Sequence, residues 1–159
     1  MIHVENASLP IEDLRHTRLI DAPAGSLVYE YNGKISLRAD RGLGEGLSQS
    51  LAVDVTTWKT SLLEKSDFEQ REGVLIGNVT FQVDPTSVRK TQPDGHQAGD
   101  LIVGGSDVRV IALNPAGDPV VLALRPTIST LMPSSYSAWK VGVIDPHRGF
   151  QALLVQLDM

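Results

Sequence analysis

The chain contains no cysteine, which excludes thiolate catalysis, zinc–thiolate sites and disulfide scaffolds together. It lacks any apolar run approaching the ~18 residues of a membrane-spanning helix. Residues Met1–Asn6 combine neither a basic head nor an apolar stretch, so a secretory signal is not expected. Cations are in the minority: 14 Lys and Arg against 19 Asp and Glu leave a net charge of −5. Phosphate binding is driven by clustered Lys and Arg, so neither nucleic acid nor a membrane surface is an expected partner. Helical periodicity is scarce as well. One helix is a candidate, with Thr57 as its cap and Trp58, Leu62 and Leu63 on its apolar side.

What is present is turn chemistry alternating with short apolar runs. Ala24-Gly25-Ser26, Ala98-Gly99-Asp100 and Ala116-Gly117-Asp118 each lead into aliphatic and β-branched residues. Glycine supplies the positive φ of a tight turn, and the residues that follow suit a pleated, half-buried surface. Strands are expected at Leu51–Thr56, Val74–Val83, Leu101–Val103, Asp107–Leu113, Val120–Arg125, Trp139–Ile144 and Phe150–Leu157, with a hairpin before them. Parallel pairing would require crossover helices. The predicted fold is therefore all-β, a single-domain antiparallel sandwich or barrel over residues 24–159, preceded by an N-terminal arm or irregular lead-in over 1–23. At 159 residues such a domain buries roughly 70% of its unfolded surface and needs no metal or disulfide to fold.

Asn32-Gly33 predicts a two-residue type I′ hairpin between Ser26–Tyr31 and Lys34–Ala39. In that register Tyr31 stands opposite Lys34, Tyr29 opposite Ser36 and Leu27 opposite Arg38. Tyr29, Tyr31, Lys34 and Arg38 then share an outer face, with aromatic rings beside cations as at many interfaces, and form the candidate contact site. Val28, Ile35, Leu37 and Glu30 fall on the face expected to be core. Gln151–Leu157 and Val110–Leu113 are apolar on both faces, as in a central strand covered twice or a strand covered by a second subunit. The long irregular stretches, 1–23, 40–50, 84–99 and 126–138, are expected to lie on neighbouring subunits, that of 40–50 as a mobile glycine-rich loop.

Catalytic patterns are weak. Gly42-Leu43-Gly44-Glu45-Gly46 lacks the last glycine of a dinucleotide fingerprint and any βαβ unit around it. Gly104-Gly105-Ser106-Asp107 is a strand connection, not a nucleophile elbow. His3, His16, His96 and His147 are scattered, without metal-ligand spacing. Asp94 and Asp100 with His96, and Asp145 with His147, are explained by turn chemistry. No catalytic residue, metal or cofactor is expected. The chain instead reads as a non-catalytic structural or assembly protein that self-associates and contacts neighbouring virion or shell proteins, either in a virion or in the cytoplasm. In general style, with no diagnostic motif, it resembles tailed-phage head-decoration (cement) proteins; a tail-associated virion protein is another form of the same reading. The competing reading is a β-barrel enzyme or cupin-like binder of a small ligand, which would enclose a pocket.

Overall fold

A computed structural model describes residues 2–4, 14–66, 70–76, 79–89, 97–104, 107–124 and 134–157. Its strands in chain order are β1 (Ile2–Val4), β2 (Leu14–Arg18), β3 (Leu27–Glu30), β4 (Ile35–Gly44), β5 (Leu47–Asp54), β6 (Thr60–Leu63), β7 (Glu72–Ile76), β8 (Thr80–Val83), β9 (Leu101–Gly104), β10 (Asp107–Leu113), β11 (Pro119–Leu124), β12 (Ser134–Tyr136), β13 (Trp139–Asp145) and β14 (Gly149–Gln156). Strands make up 64% and no α-helix occurs among the described residues, so the all-β class holds. Among the described residues the sheets do not close into a barrel.

Four strands form a small sheet in the order β1-β14-β13-β8. Ten form a large one, β12-β9-β10-β11-β4-β3-β7-β2, with β5 on the other edge of β4 and β6 beyond it. Every pairing between these strands is antiparallel, as short connections without crossover helices require. One continuous core joins the sheets. Leu27, Leu37, Val53, Val108, Val110 and Leu122 from the large sheet meet Phe81, Trp139, Val141 and Leu154 from the small one. At its centre Trp139 tilts against Trp58 and Phe81, with ring centroids 5.9 and 5.8 Å apart, and its Nε1–H donates to the Gly99 carbonyl at 2.7 Å.

The doubly apolar β14 is explained within the chain. Its register against β13 slips between Val141↔Leu154 and Gly142↔Ala152, leaving Leu153 as an extra, bulged residue. A bulge breaks strict alternation, so consecutive Leu153 and Leu154 are both buried in the core. In β10 consecutive Val110, Ile111 and Ala112 are likewise covered on both faces by the chain itself.

Several expectations are corrected. The Trp58 helix does not form: Asp54 Oδ1 accepts from Thr56 N, Trp58 N donates to Asp54 O, and Trp58 takes φ +61° in a tight turn that leads into β6. The single strand expected over 74–83 is divided between β7 in the large sheet and β8 in the small one. The glycine-rich 40–50 is a hairpin rather than a mobile loop, because β4 and β5 stay paired out to Gly44↔Leu47 around a Glu45-Gly46 turn. Both turn residues have positive φ, 53° and 78°, as type I′ geometry demands. Within the expected arm, Ile2–Val4 pairs with β14 and Leu14–Arg18 with β7.

The first hairpin is also shifted. Gly33 N donates to Glu30 O, Glu30 N donates to Lys34 O, and the pairs are Tyr29↔Ile35, Val28↔Ser36 and Leu27↔Leu37. The loop therefore has three residues, a type I turn closed by Gly33 at φ +91°. One added loop residue turns the opposite face of the second strand toward each partner. Tyr29 now packs with Ile35 against the main core. Arg38 is buried on the opposite face, its guanidinium donating to the carbonyls of Ala22, Ala39 and Leu51 at 2.9 Å each.

That opposite face carries a buried ion pair. Arg71 donates to both carboxylate oxygens of Glu30 at 2.8 and 2.7 Å, Ser36 Oγ donates to Glu30 at 2.5 Å, and Arg71 Nη1 reaches Ser61 Oγ at 2.5 Å. Burial pushes the Glu30 carboxyl up, but the hydrogen bonds from Arg71 and Ser36 and the Arg71 charge outweigh it and hold the carboxyl below its usual value. A carboxylate depressed in this way stabilises the fold fully above its unfolded pKa of about 4.3, and that contribution is lost as pH falls through the lower folded value. Arg71→Met leaves the buried carboxylate without its cation and is expected to cost about 3 kcal/mol at pH 7. The loss should shrink as pH falls below the usual carboxylate range and folded Glu30 takes up its proton. Urea denaturation of both proteins from pH 7 downward checks it, and a deficit that does not shrink as the carboxyl is protonated contradicts the assigned role.

Candidate interaction surface

The four residues of the expected contact site do not share a face. Tyr31 and Lys34 are exposed at the hairpin tip, Tyr29 is half-buried against the core, and Arg38 is buried behind it. Tyr31 instead joins the edge strand β2: its hydroxyl lies 2.6 Å from His16 Nδ1, and the rings stack at 5.6 Å. Glu72 approaches His16 Nε2 at 3.7 Å. All three side chains are on open surface rather than in a cleft.

The other polar candidates resolve into turn and framework roles. Asp145 accepts from the backbone N–H groups of His147 and Arg148, which hold its carboxyl below the usual range. It caps the β13–β14 turn and is not paired with the His147 ring. Asp100 is buried in a two-pronged ion pair with Arg89 at 2.6 and 3.0 Å and also accepts from Gln97 N. Asp94, His96, Gly105 and Ser106 lie outside the described residues. Among the described residues no three His, Asp or Glu side chains group closely enough to hold a metal ion.

The surface that stands out is built where two strands part. β4 and β11 are registered with each other at Asp40↔Ala123. Beyond that point Arg41, Gly42 and Gly44 pair with β5 alone, with Leu43 bulged between the last two, and Pro119–Leu122 pair with β10 alone. The strands diverge as the two arms of a wedge, enclosing an open cleft of about 630 Å³. Asp40, Arg41 and Gly42 line one wall and Pro119, Val121 and Ala123 the other, with Asp107 and Arg109 of β10 beside them. Comparison with protein-family models, curated proteins and solved structures finds no match. The chemistry of this surface therefore has to carry the functional argument by itself.

Past the wedge, β4 and β5 continue as a two-stranded ribbon. Residues 41–48 are all exposed, and at about 3.3 Å per residue the ribbon reaches roughly 15 Å from its root. Its end carries Leu43 and Leu47, 52% and 64% exposed. Val121, also half-exposed at 47%, lies in the cleft at the ribbon's base. The Gly-Leu-Gly-Glu-Gly run is visible in the sequence, but its hairpin depends on pairing with Leu47–Ser50, a segment with no strong strand signal of its own.

Proposed function

We propose that this chain is a non-catalytic assembly protein that acts by associating with copies of itself and with neighbouring shell proteins through the β4–β5 ribbon and the cleft at its base. The observation that supports this is the pair of uncovered leucines at the end of a projecting ribbon. An isolated two-stranded ribbon is at best marginally stable in water, and large apolar side chains gathered at its tip mark a surface meant to be covered. The charged residues around the cleft include both signs, Asp40 and Asp107 with Arg41 and Arg109, which suits a protein surface better than a polyanion. The most specific form of the proposal is a capsid-stabilising or tail-associated virion protein, since bridging neighbours on a lattice calls for a short projecting element.

Replacing Leu43 and Leu47 together by serine tests this. Both side chains are exposed, so folding stability should change by no more than about 0.5 kcal/mol per site, while association measured by light scattering should be lost at concentrations where the unaltered chain assembles. A variant that assembles as tightly as the parent contradicts the proposal.

A further inference from the structure

We propose that two copies clasp each other, the tip of each β4–β5 ribbon seated in the wedge cleft at the base of the other copy's ribbon. The inference rests on reading the ribbon as an assembly element, and names its partner and its seat. No strand is added to a sheet. The ribbon ends in a bulge at Leu43 and a Glu45-Gly46 turn, with Gly44, Glu45 and Gly46 all at positive φ, and irregular backbone of this kind does not extend a ladder. What it offers instead is the exposed side chains of Leu43, Glu45 and Leu47.

Three features of the cleft make it the seat. Its wall carries Pro119 and the exposed Val121, an apolar surface to cover the two leucines. Its charge suits the tip. Arg41 and Arg109 line it, and neither guanidinium joins an ion pair among the described residues. Asp40 already faces Arg38 at 3.6 Å, and Asp107 has a contact of its own within the chain, which leaves the cleft with cation to spare. The single charge at the tip is Glu45, also without an ion pair among the described residues, and seating the tip brings it to Arg109 of the other copy, an attractive pair that fixes orientation. The third feature is position. Tip and cleft lie at opposite ends of one ribbon, about 15 Å apart, so two ribbons laid antiparallel about a two-fold axis fill both clefts at once. A contact of this kind is isologous and closes at two copies.

Charge exchange and crosslinking test the clasp at positions that are all exposed in the single chain, where substitutions leave folding nearly unchanged. Glu45→Arg alone, or Arg109→Glu alone, sets like charges together at both seats and should weaken dimerisation about tenfold or more by sedimentation equilibrium. The double variant restores both pairs and should recover most of the parent affinity. The chain has no cysteine, so Leu47→Cys and Val121→Cys can be placed in separate chains and mixed. Mild oxidation of the mixture should link one variant to the other rapidly. Either variant alone should crosslink far more slowly, because its two thiols lie a ribbon's length apart, beyond the reach of a disulfide. Should the parent associate while the single reversals match it, while the double variant stays as weak as the singles, or while the mixture crosslinks no faster than either variant alone, the clasp is wrong and the assembly reading stands. A mass that climbs past two chains overturns the closed clasp in the same way. A parent that is monomeric throughout overturns both.

Discussion

Gly142→Val is expected to destabilise the fold by about 4 kcal/mol or more. The reason is backbone contact. A Cβ at Gly142 would overlap the Gln151 carbonyl oxygen and crowd the Gln151 carbonyl carbon and Ala152 Cα, at the point where the register slips past Leu153. No side-chain rotation relieves an overlap with main chain, so Gly142→Ala should already cost most of the penalty. Gly117 and Gly149 make the contrast. Each has positive φ but open space around the missing Cβ, so alanine there should cost only about 1–2 kcal/mol. Urea denaturation of the three alanine variants orders them, and a Gly142→Ala protein within about 1 kcal/mol of the parent contradicts the close backbone contact at Gly142.

Trp139→Ala is expected to be of similar size, about 4–5 kcal/mol. Truncation empties the centre of the aromatic cluster shared with Trp58 and Phe81. It also leaves the Gly99 carbonyl without the indole donor, and an unpaired buried acceptor adds to the cavity term. Trp139→Phe keeps most of the packing and loses the hydrogen bond, so it should fall between the two. Equal loss in the phenylalanine and alanine variants would mean that the hydrogen bond, rather than the packing, governs the site.

These glycine and tryptophan roles differ in how far the sequence discloses them. The strand class was legible because turn residues such as Gly25, Gly99 and Gly117 punctuate aliphatic runs, and each takes positive φ as expected. Gly33 was read correctly as a turn residue but in the wrong loop, since positive φ serves a two-residue type I′ turn and a three-residue bulged loop equally well. That single ambiguity moved Tyr29 inward and Arg38 to the opposite face. Trp58 looked helical by its spacing with Leu62 and Leu63, yet the carboxylate and carbonyl of Asp54 close a turn around it. The ribbon was hidden because glycines 42, 44 and 46 have weak strand preference by themselves, and pairing with β5 overrides it. The wedge was hidden more deeply, since it depends on where β4 and β11, distant in sequence, meet at Asp40↔Ala123 and then separate.

The central claim, that this chain works by self-association through its ribbon, is tested most directly by sedimentation equilibrium of the unaltered protein over a wide range of concentration. The account predicts a mass that rises with concentration from that of the 17.2 kDa chain to twice that value, and a rise abolished by serine at Leu43 and Leu47. A single 17.2 kDa species at every concentration, or an oligomer indifferent to those two leucines, would contradict it.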